Sequence, residues 1–310
     1  MSEEGRVKKI FIDGSAGTTG LRIRERLAGM DGLEVAVLPD ELRKDPSARR
    51  DALNAADVAF LCLPDDAARE SVAMVENPSV VVIDTSTAHR TSDGWEYGFP
   101  ELEGRRARIA SARRIANPGC HASGFIALVE PLVRDGIVSR DSDLSSFSLT
   151  GYSGGGKKMI AEYGEGAPET YLGGRQYALG QAHKHLPEMA KVCGLARPPC
   201  FSPVVVPHYS GMEVTVFLHG VDLGRVKDCY RRRYSGNGVV RFEEDLSQGG
   251  FVSSAALSGR DDMLVGAYGS DGRVVLVACF DNLGKGASGA AIQNMNIALG
   301  RDELAGLSVG

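Results

Sequence analysis

Val7-Lys8-Lys9-Ile10-Phe11-Ile12-Asp13 runs directly into Gly14-Ser15-Ala16-Gly17-Thr18-Thr19-Gly20, and Leu21, Ile23 and Leu27 then recur at helical spacing. The order is strand, glycine turn, helix, which predicts the opening of a dinucleotide-binding βαβ unit. Glycines three apart let the backbone turn sharply, approach a pyrophosphate and seat the helix on the strand, with the helix N-terminus towards the phosphates. Gly14, Ser15, Gly17, Thr18, Thr19 and Gly20 are therefore candidate cofactor contacts. A glycine-rich turn without a ligand is the plainer alternative.

Short apolar segments at residues 33–38, 58–63 and 80–83 follow, separated by helical stretches at 47–56 and 66–75. This alternation predicts an α/β Rossmann domain with a doubly wound parallel sheet. Leu61-Cys62-Leu63-Pro64 and Asp84-Thr85-Ser86-Thr87 fall at strand C-termini, where such sheets bind ligands, so Ser86 joins the cofactor candidates. In Leu38-Pro39-Asp40-Glu41-Leu42-Arg43-Lys44 the cations suit a 2′-phosphate, and Arg43 favours NADP(H) over NAD. Asp40 and Glu41 keep the NAD reading open.

Asn117-Pro118-Gly119-Cys120 is a proline-fixed turn that delivers a cysteine to the start of an expected amphipathic helix, since Phe125, Leu128, Val129 and Leu132 recur at three- and four-residue intervals. Backbone N–H groups and the helix dipole favour a thiolate there, making Cys120 a candidate nucleophile. The alternative is a small apolar residue packed under a turn. Beyond it strands dominate, at residues 146–150, 204–206, 214–218 and 274–279, which predicts a second, α+β domain with a mainly antiparallel sheet. Gly151-Tyr152-Ser153-Gly154-Gly155-Gly156-Lys157-Lys158 reads as a flexible stretch whose glycines suit a phosphate-binding turn or a hinge, and least of all a linker, because strand signals flank it.

His183-Lys184-His185-Leu186-Pro187-Glu188 places two histidines before a helix start, and either imidazole suits proton exchange near neutrality. The histidines lack the further ligands a metal would need, so no metal is expected. His121 points along a different vector from Cys120 and is the weaker candidate. The closing segment 281–296 turns on glycines and continues as a small-residue helix able to pack between the two domains or against the nucleotide sheet, with Asn282 near the cofactor; a purely structural terminal helix is the plainer alternative.

The 310 residues suffice for two domains, and 43% hydrophobic with 24% charged residues are globular values. No apolar run approaches the roughly 20 residues that cross a bilayer, so no membrane partner is expected. A net charge of −5 offers no basic stripe for nucleic acid. Met1-Ser2-Glu3-Glu4-Gly5-Arg6 resembles no signal or transit peptide, which predicts a cytoplasmic location. Six dispersed cysteines without a C-x-x-C pair are expected to be free thiols.

These motifs, together with Asp84-Thr85-Ser86-Thr87-Ala88-His89-Arg90, Tyr97-Gly98-Phe99-Pro100-Glu101 and Asp281-Asn282-Leu283-Gly284-Lys285-Gly286, resemble the N-acetyl-γ-glutamyl-phosphate reductases, and more closely their shorter second type. Almost the whole length is covered. One departure is His121-Ala122, where the family usually has an aromatic residue followed by a small one or proline. The resemblance implies the fold of aspartate-semialdehyde and glyceraldehyde-3-phosphate dehydrogenases: an NADP-binding domain at 1–119 and 287–310, and a catalytic and oligomerisation domain at 120–286. It implies NADPH-dependent reduction of a small-molecule acyl phosphate, N-acetyl-L-glutamyl 5-phosphate, to the 5-semialdehyde and phosphate in arginine biosynthesis, by a homodimer or homotetramer. In that scheme Cys120 forms a thioester, His183 or His185 handles the proton, and Arg90, Asn117, Ser153 and Gly154 serve the substrate. An aspartate-semialdehyde-type dehydrogenase is the competing enzyme, and an NADP(H)-binding redox sensor with a regulatory Cys120 is the competing non-enzyme.

Overall fold

The computed structural model describes residues 6–236, 238–270 and 272–310. The opening residues 1–5, read above for a targeting signal, lie outside the described residues. The chain divides into two compact units, Met1–Pro118 with Ala287–Leu307, and Gly119–Gly286 with Ser308–Gly310.

In the first unit the elements run β1 (Lys8–Asp13), α1 (Thr18–Leu27), β2 (Leu33–Ala36), α2 (Pro46–Ala55), β3 (Val58–Leu61), α3 (Asp65–Ala73), β4 (Val81–Asp84), β5 (Glu96–Tyr97), α4 (Arg105–Ser111) and β6 (Arg114–Ala116), and α9 (Gly289–Ala298) returns to it. The strands form one parallel sheet in the order β2-β1-β3-β4-β6-β5. Side chains alternate across a strand, and both faces are apolar. Ile10, Ile12, Val58, Phe60, Val81 and Ile83 pack with Ile292 and Met295 of α9 on one side, while Phe11, Ala59, Leu61 and Val82 pack with Leu53 and Ala68 on the other. A sheet buried on both faces explains why these strands read as continuous apolar runs. Asp45 caps α2 by accepting from the Ala48 N–H at 2.7 Å, with Pro46 in the first helical position.

The second unit comprises α5 (Cys120–Arg134), β7 (Ser145–Gly151), α6 (Gly156–Glu162), β8 (Arg175–Gln176), α7 (Leu186–Cys193), β9 (Cys200–Val206), β10 (Met212–His219), α8 (Leu223–Arg233), β11 (Val240–Phe242), β12 (Met263–Ser270) and β13 (Arg273–Phe280). Its sheet runs β11-β12-β13-β10-β7-β9-β8, antiparallel except at β11–β12 and β7–β9. The unit is therefore α+β with a mainly antiparallel sheet.

Two local expectations are corrected. α5 is buried on every face from His121 to Leu132 instead of amphipathic, because it lies between α7, α8 and strands β10 and β13. Gly124 makes that packing possible, since a β-carbon there would stand 2.6 Å from Cγ2 of Val214. The stretch expected to be flexible is a 3-10 turn, Tyr152–Gly155, continuing into α6. Tyr152 stacks on Tyr163 with ring centroids 4.5 Å apart, and a β-carbon on Gly155 would collide with Met159 at 2.6 Å, so the glycines serve close packing.

Candidate active site

In the second unit, Cys120 is the first residue of α5, with extended Gly119 (φ −78°, ψ 147°) as its N-cap. The first N–H groups of a helix have no intrahelical acceptor, so this end offers donors and a positive dipole to a half-buried sulfur. The Gly119 N–H donates to Oε2 of buried Glu188 at 3.2 Å, which ties the helix start to α7. Gly286 approaches the cysteine closely, since a β-carbon on it would stand 2.9 Å from Cβ of Cys120. Burial pushes Cys62, Cys229 and Cys279 up to about 12 and holds Cys193 well above its ordinary value. Those four stay protonated at neutral pH. All six cysteines are free.

His121, the residue after Cys120, gathers two further histidines around it. The rings of His183 and His185 meet edge-on at 4.7 Å, and Nδ1 of His183 accepts from the His185 N–H at 3.2 Å. His183 is half-buried, whereas His185, at the N-cap of α7, is 4% exposed. His121 packs against both rings at 5.4 and 5.6 Å. Burial, reinforced by the charges of His183 and Lys184, holds His121 well below its ordinary value, so its imidazole is neutral. Its Nδ1 lies 2.7 Å from Oγ of Ser148 and its Nε2 lies 2.7 Å from the hydroxyl of Tyr177. Neither Ser148 nor Tyr177 carries a sequence signal, because β7 and β8 bring them to His121 only through sheet pairing.

Ser153 and Asn282 also belong to this unit and bind one another, with Nδ2 of Asn282 donating to Oγ of Ser153 at 3.0 Å. Oδ1 of Asn282 accepts from the Gly211 N–H at 2.9 Å, and Gly154 lies against the same amide. Asn282 is thus a buried brace for the 151–155 turn. Its neighbour Asp281 accepts from the N–H groups of Leu283 and Gly284 at 2.7 and 3.0 Å and shapes the turn above Cys120.

In the first unit a crevice of about 350 Å³ opens at the C-terminal end of β1, lined by Gly14, Ser15, Gly17, Arg43, Lys44 and Arg49 among others. Gly14 has φ +87°, and a β-carbon on it would strike the Cys62 carbonyl at 2.3 Å, so only glycine leaves this cradle open. Gly20 serves packing, since a β-carbon there would meet the Gly14 carbonyl at 2.6 Å. Thr18 and Thr19 open α1, and the Ser86 hydroxyl donates to Asp84 at 2.8 Å. Arg43 stands 3.3 Å from Asp40 at the exposed rim. Sequence reading missed Arg49, whose guanidinium donates to Asp13 at 3.0 Å and to Ser71 at 2.6 Å while it lines the crevice.

Arg90 donates through Nε to the Asn117 carbonyl at 2.9 Å and through Nη2 to the Thr85 carbonyl at 3.0 Å, which fixes the plane of its guanidinium. The Asn117 side chain is buried, donating to the Ala287 carbonyl at 3.0 Å and accepting from Asn294 at 3.2 Å. Among the described residues, no group of three or more histidine, cysteine and acidic side chains is arranged to hold a metal.

A glycine-cradled crevice at the end of a parallel sheet, and a cysteine starting a helix in an α+β unit, define the semialdehyde dehydrogenase class. Residues 15–112 match the semialdehyde dehydrogenase NAD binding domain and residues 120–282 match the semialdehyde dehydrogenase dimerisation domain. The fold is similar to aspartate semialdehyde dehydrogenase II of Vibrio cholerae, with a TM-score of 0.72 at 17% identity over 95% of this chain and 99% of that one. Sequence likeness is closer to the N-acetyl-gamma-glutamyl-phosphate reductase of Brucella anthropi, 46% identical over 94% of this chain and 99% of the relative. N-acetyl-gamma-glutamyl-phosphate reductase 2 of Pseudomonas putida is 43% identical, over 94% of this chain and 96% of its own length. The chain belongs to the N-acetyl-gamma-glutamyl-phosphate reductase family.

Proposed function

We propose that this protein reduces N-acetyl-L-glutamyl 5-phosphate to N-acetyl-L-glutamate 5-semialdehyde, with NADPH as reductant, release of phosphate and Cys120 as nucleophile, as a cytoplasmic step of arginine biosynthesis. The observation that carries this reading is Cys120 at the first residue of α5, followed directly by His121, whose ring packs on both His183 and His185. The Cys120 thiolate attacks the acyl carbon and phosphate leaves, dividing one difficult step into two. NADPH, when bound, would supply the hydride that reduces the resulting thioester to a thiohemiacetal, which loses its hydroxyl proton and expels the Cys120 thiolate to give the aldehyde. His183 is the better supported acid-base group, since a half-buried imidazole can exchange protons that a 4% exposed His185 is screened from. Backbone N–H groups in the first turn of α5 suit the tetrahedral oxyanion.

The open cradle at Gly14 fits a dinucleotide, and we assign its pyrophosphate to Gly14, Ser15 and Gly17 and a 2′-phosphate to Arg43 and Lys44. Arg90, its guanidinium plane already fixed, is assigned to the substrate phosphate, and Ser153 and Gly154 to the substrate's polar groups. Asn117 and Asn282 are better supported as braces than as ligand contacts, because their amides bond within the protein. A homodimer or homotetramer accords with the family description of residues 120–282.

The test is phosphate-dependent formation of NADPH from N-acetylglutamate semialdehyde and NADP. Turnover that vanishes in Cys120→Ala while NADP binding persists supports the reading. A strong preference for aspartate semialdehyde would replace the substrate, and no turnover with either aldehyde would leave a redox sensor.

A further inference from the structure

Ala287–Leu307 belongs to the first unit, yet Ser308–Gly310, which follows it, groups with the second. The contacts that hold it there run through its backbone. The Asp261 N–H donates to the Ser308 carbonyl at 2.7 Å, and the Ser308 N–H donates back to the Asp261 carboxylate at 2.8 Å. The Gly310 carbonyl accepts from Arg260 and Arg241, at 2.7 and 2.5 Å, and both guanidiniums donate in turn to the buried carboxylate of Asp262 at 2.8 Å. Ser308, Val309 and Gly310 are exposed, and an exposed segment is ordinarily loose unless it is tied down.

The residues they grip pack directly on the turn that meets Cys120. A β-carbon on Gly284 would stand 1.9 Å from the Arg260 carbonyl, so the backbone at 260 occupies the space a side chain at 284 would need. Oδ2 of Asp281 accepts from the Gly259 N–H at 2.5 Å and from the Ser210 hydroxyl at 2.7 Å, while its Oδ1 accepts from Leu283 and Gly284. The Asp281 carbonyl accepts from the Gly286 N–H at 3.0 Å, and Gly286 is the residue against Cβ of Cys120. The route from Ser308 to Cys120 is thus made of backbone and of carboxylates that are 0% exposed. Close packing of this kind leaves little slack.

We propose that Ser308–Gly310 is a positioning strap for the nucleophile: by gripping residues 260–262 it holds the 281–286 turn against Cys120 and keeps the sulfur at the helix start. Ser308 and Gly310 are positioning residues that act through Arg260, Asp261 and the turn. The inference rests on Cys120 being the nucleophile.

The experiment is labelling by iodoacetamide at fixed pH, read peptide by peptide by mass spectrometry, with Cys193, Cys229 and Cys279 as internal references. These three lie in the same unit and are 3%, 2% and 3% exposed. Ser308→Pro deletes the N–H that Asp261 accepts, and deletion of Ser308–Gly310 removes the strap. In both, Cys120 labels several-fold faster, because the turn no longer packs against its Cβ, while the three buried thiols stay as protected as in the wild type. Ser308→Ala keeps both backbone bonds and labels as the wild type does. In turnover, kcat falls about tenfold with KM little changed in the first two variants, the loss expected when a reacting atom is less well oriented. Unchanged or slower labelling of Cys120 in Ser308→Pro overturns the inference. Faster labelling of Cys120 and the buried thiols together, or a variant that does not fold, overturns it as well, since residues 308–310 would then support the unit as a whole. Labelling needs neither substrate nor NADPH, so a chain inactive on the acyl phosphate would sink the proposed function without touching this result.

Discussion

Gly286 lies so close to Cys120 that a β-carbon on it would stand 2.9 Å from the cysteine's own Cβ and 3.1 Å from the Asp281 carbonyl. Neither neighbour is the free end of a flexible side chain. One belongs to the proposed nucleophile, and the other is backbone of a loop pinned by the Asp281 carboxylate. Gly286→Ala must therefore displace either the turn or the cysteine. Overpacking of this kind costs about 1–3 kcal/mol. A lowered melting temperature together with a fall in kcat larger than the change in KM is expected; wild-type kinetics would show that the turn moves away without disturbing the sulfur.

Arg49, Asp13 and Ser71 form a closed buried triangle, with Ser71 donating to Asp13 at 2.8 Å and Arg49 donating to both. Replacing Arg49 by Met leaves the Asp13 carboxylate buried without its cation, at a cost of about 3–5 kcal/mol. The urea midpoint should drop accordingly. Because Asp13 ends β1 and Arg49 lines the crevice, NADP binding should weaken as well. A double variant, Asp13→Asn with Arg49→Met, should recover part of the stability, since the uncompensated charge is then gone.

Arg43 and Lys44 line the crevice from the segment after β2, where the sequence reading placed a 2′-phosphate. Replacing both by Ala should raise the dissociation constant for NADP at least tenfold and leave that for NAD within about threefold, the difference expected for charge-assisted bonds to a phosphate. Titration calorimetry with both nucleotides measures it. Equal losses for NAD and NADP would place the 2′-phosphate elsewhere.

The features legible in the sequence are local ones. β1, the glycine turn and α1 are contiguous, and strand alternation with helices exposed the doubly wound sheet before any contact was known. Cys120 at a helix start was legible for the same reason, in Pro118-Gly119 followed by a periodic apolar run. Coverage was not legible. Ala122, Ser123, Gly124 and Ala127 read as neutral positions, yet each is buried because α5 is enclosed from all sides. The run from Gly154 to Gly156 looked flexible because glycine carries no packing signal of its own, whereas the Tyr152–Tyr163 stack that orders it spans eleven positions. His121 was ranked below His183 and His185 because it points along a different vector from Cys120; its partners Ser148 and Tyr177 reach it through long-range strand pairing, which no local pattern encodes.

His121 also predicts how stability responds to acid. Burial, then the charges of His183 and Lys184, hold its folded-state pKa well below the ordinary 6.5. Burial lowers His208 in the same direction. Below about pH 6.5 the unfolded chain takes up protons that the folded imidazoles refuse, so the unfolded state binds more protons and stability rises with pH through that window. Above it both states are neutral at these positions and the contribution is flat. The melting temperature should therefore be level, as far as these histidines decide it, above about pH 7 and should decline as pH falls towards 5. His121→Phe removes one refusing group and keeps an apolar ring against Phe201, so its decline should be shallower than that of the wild type. Parallel curves for the two proteins would mean that His121 binds its proton as readily in the folded state as in the unfolded one.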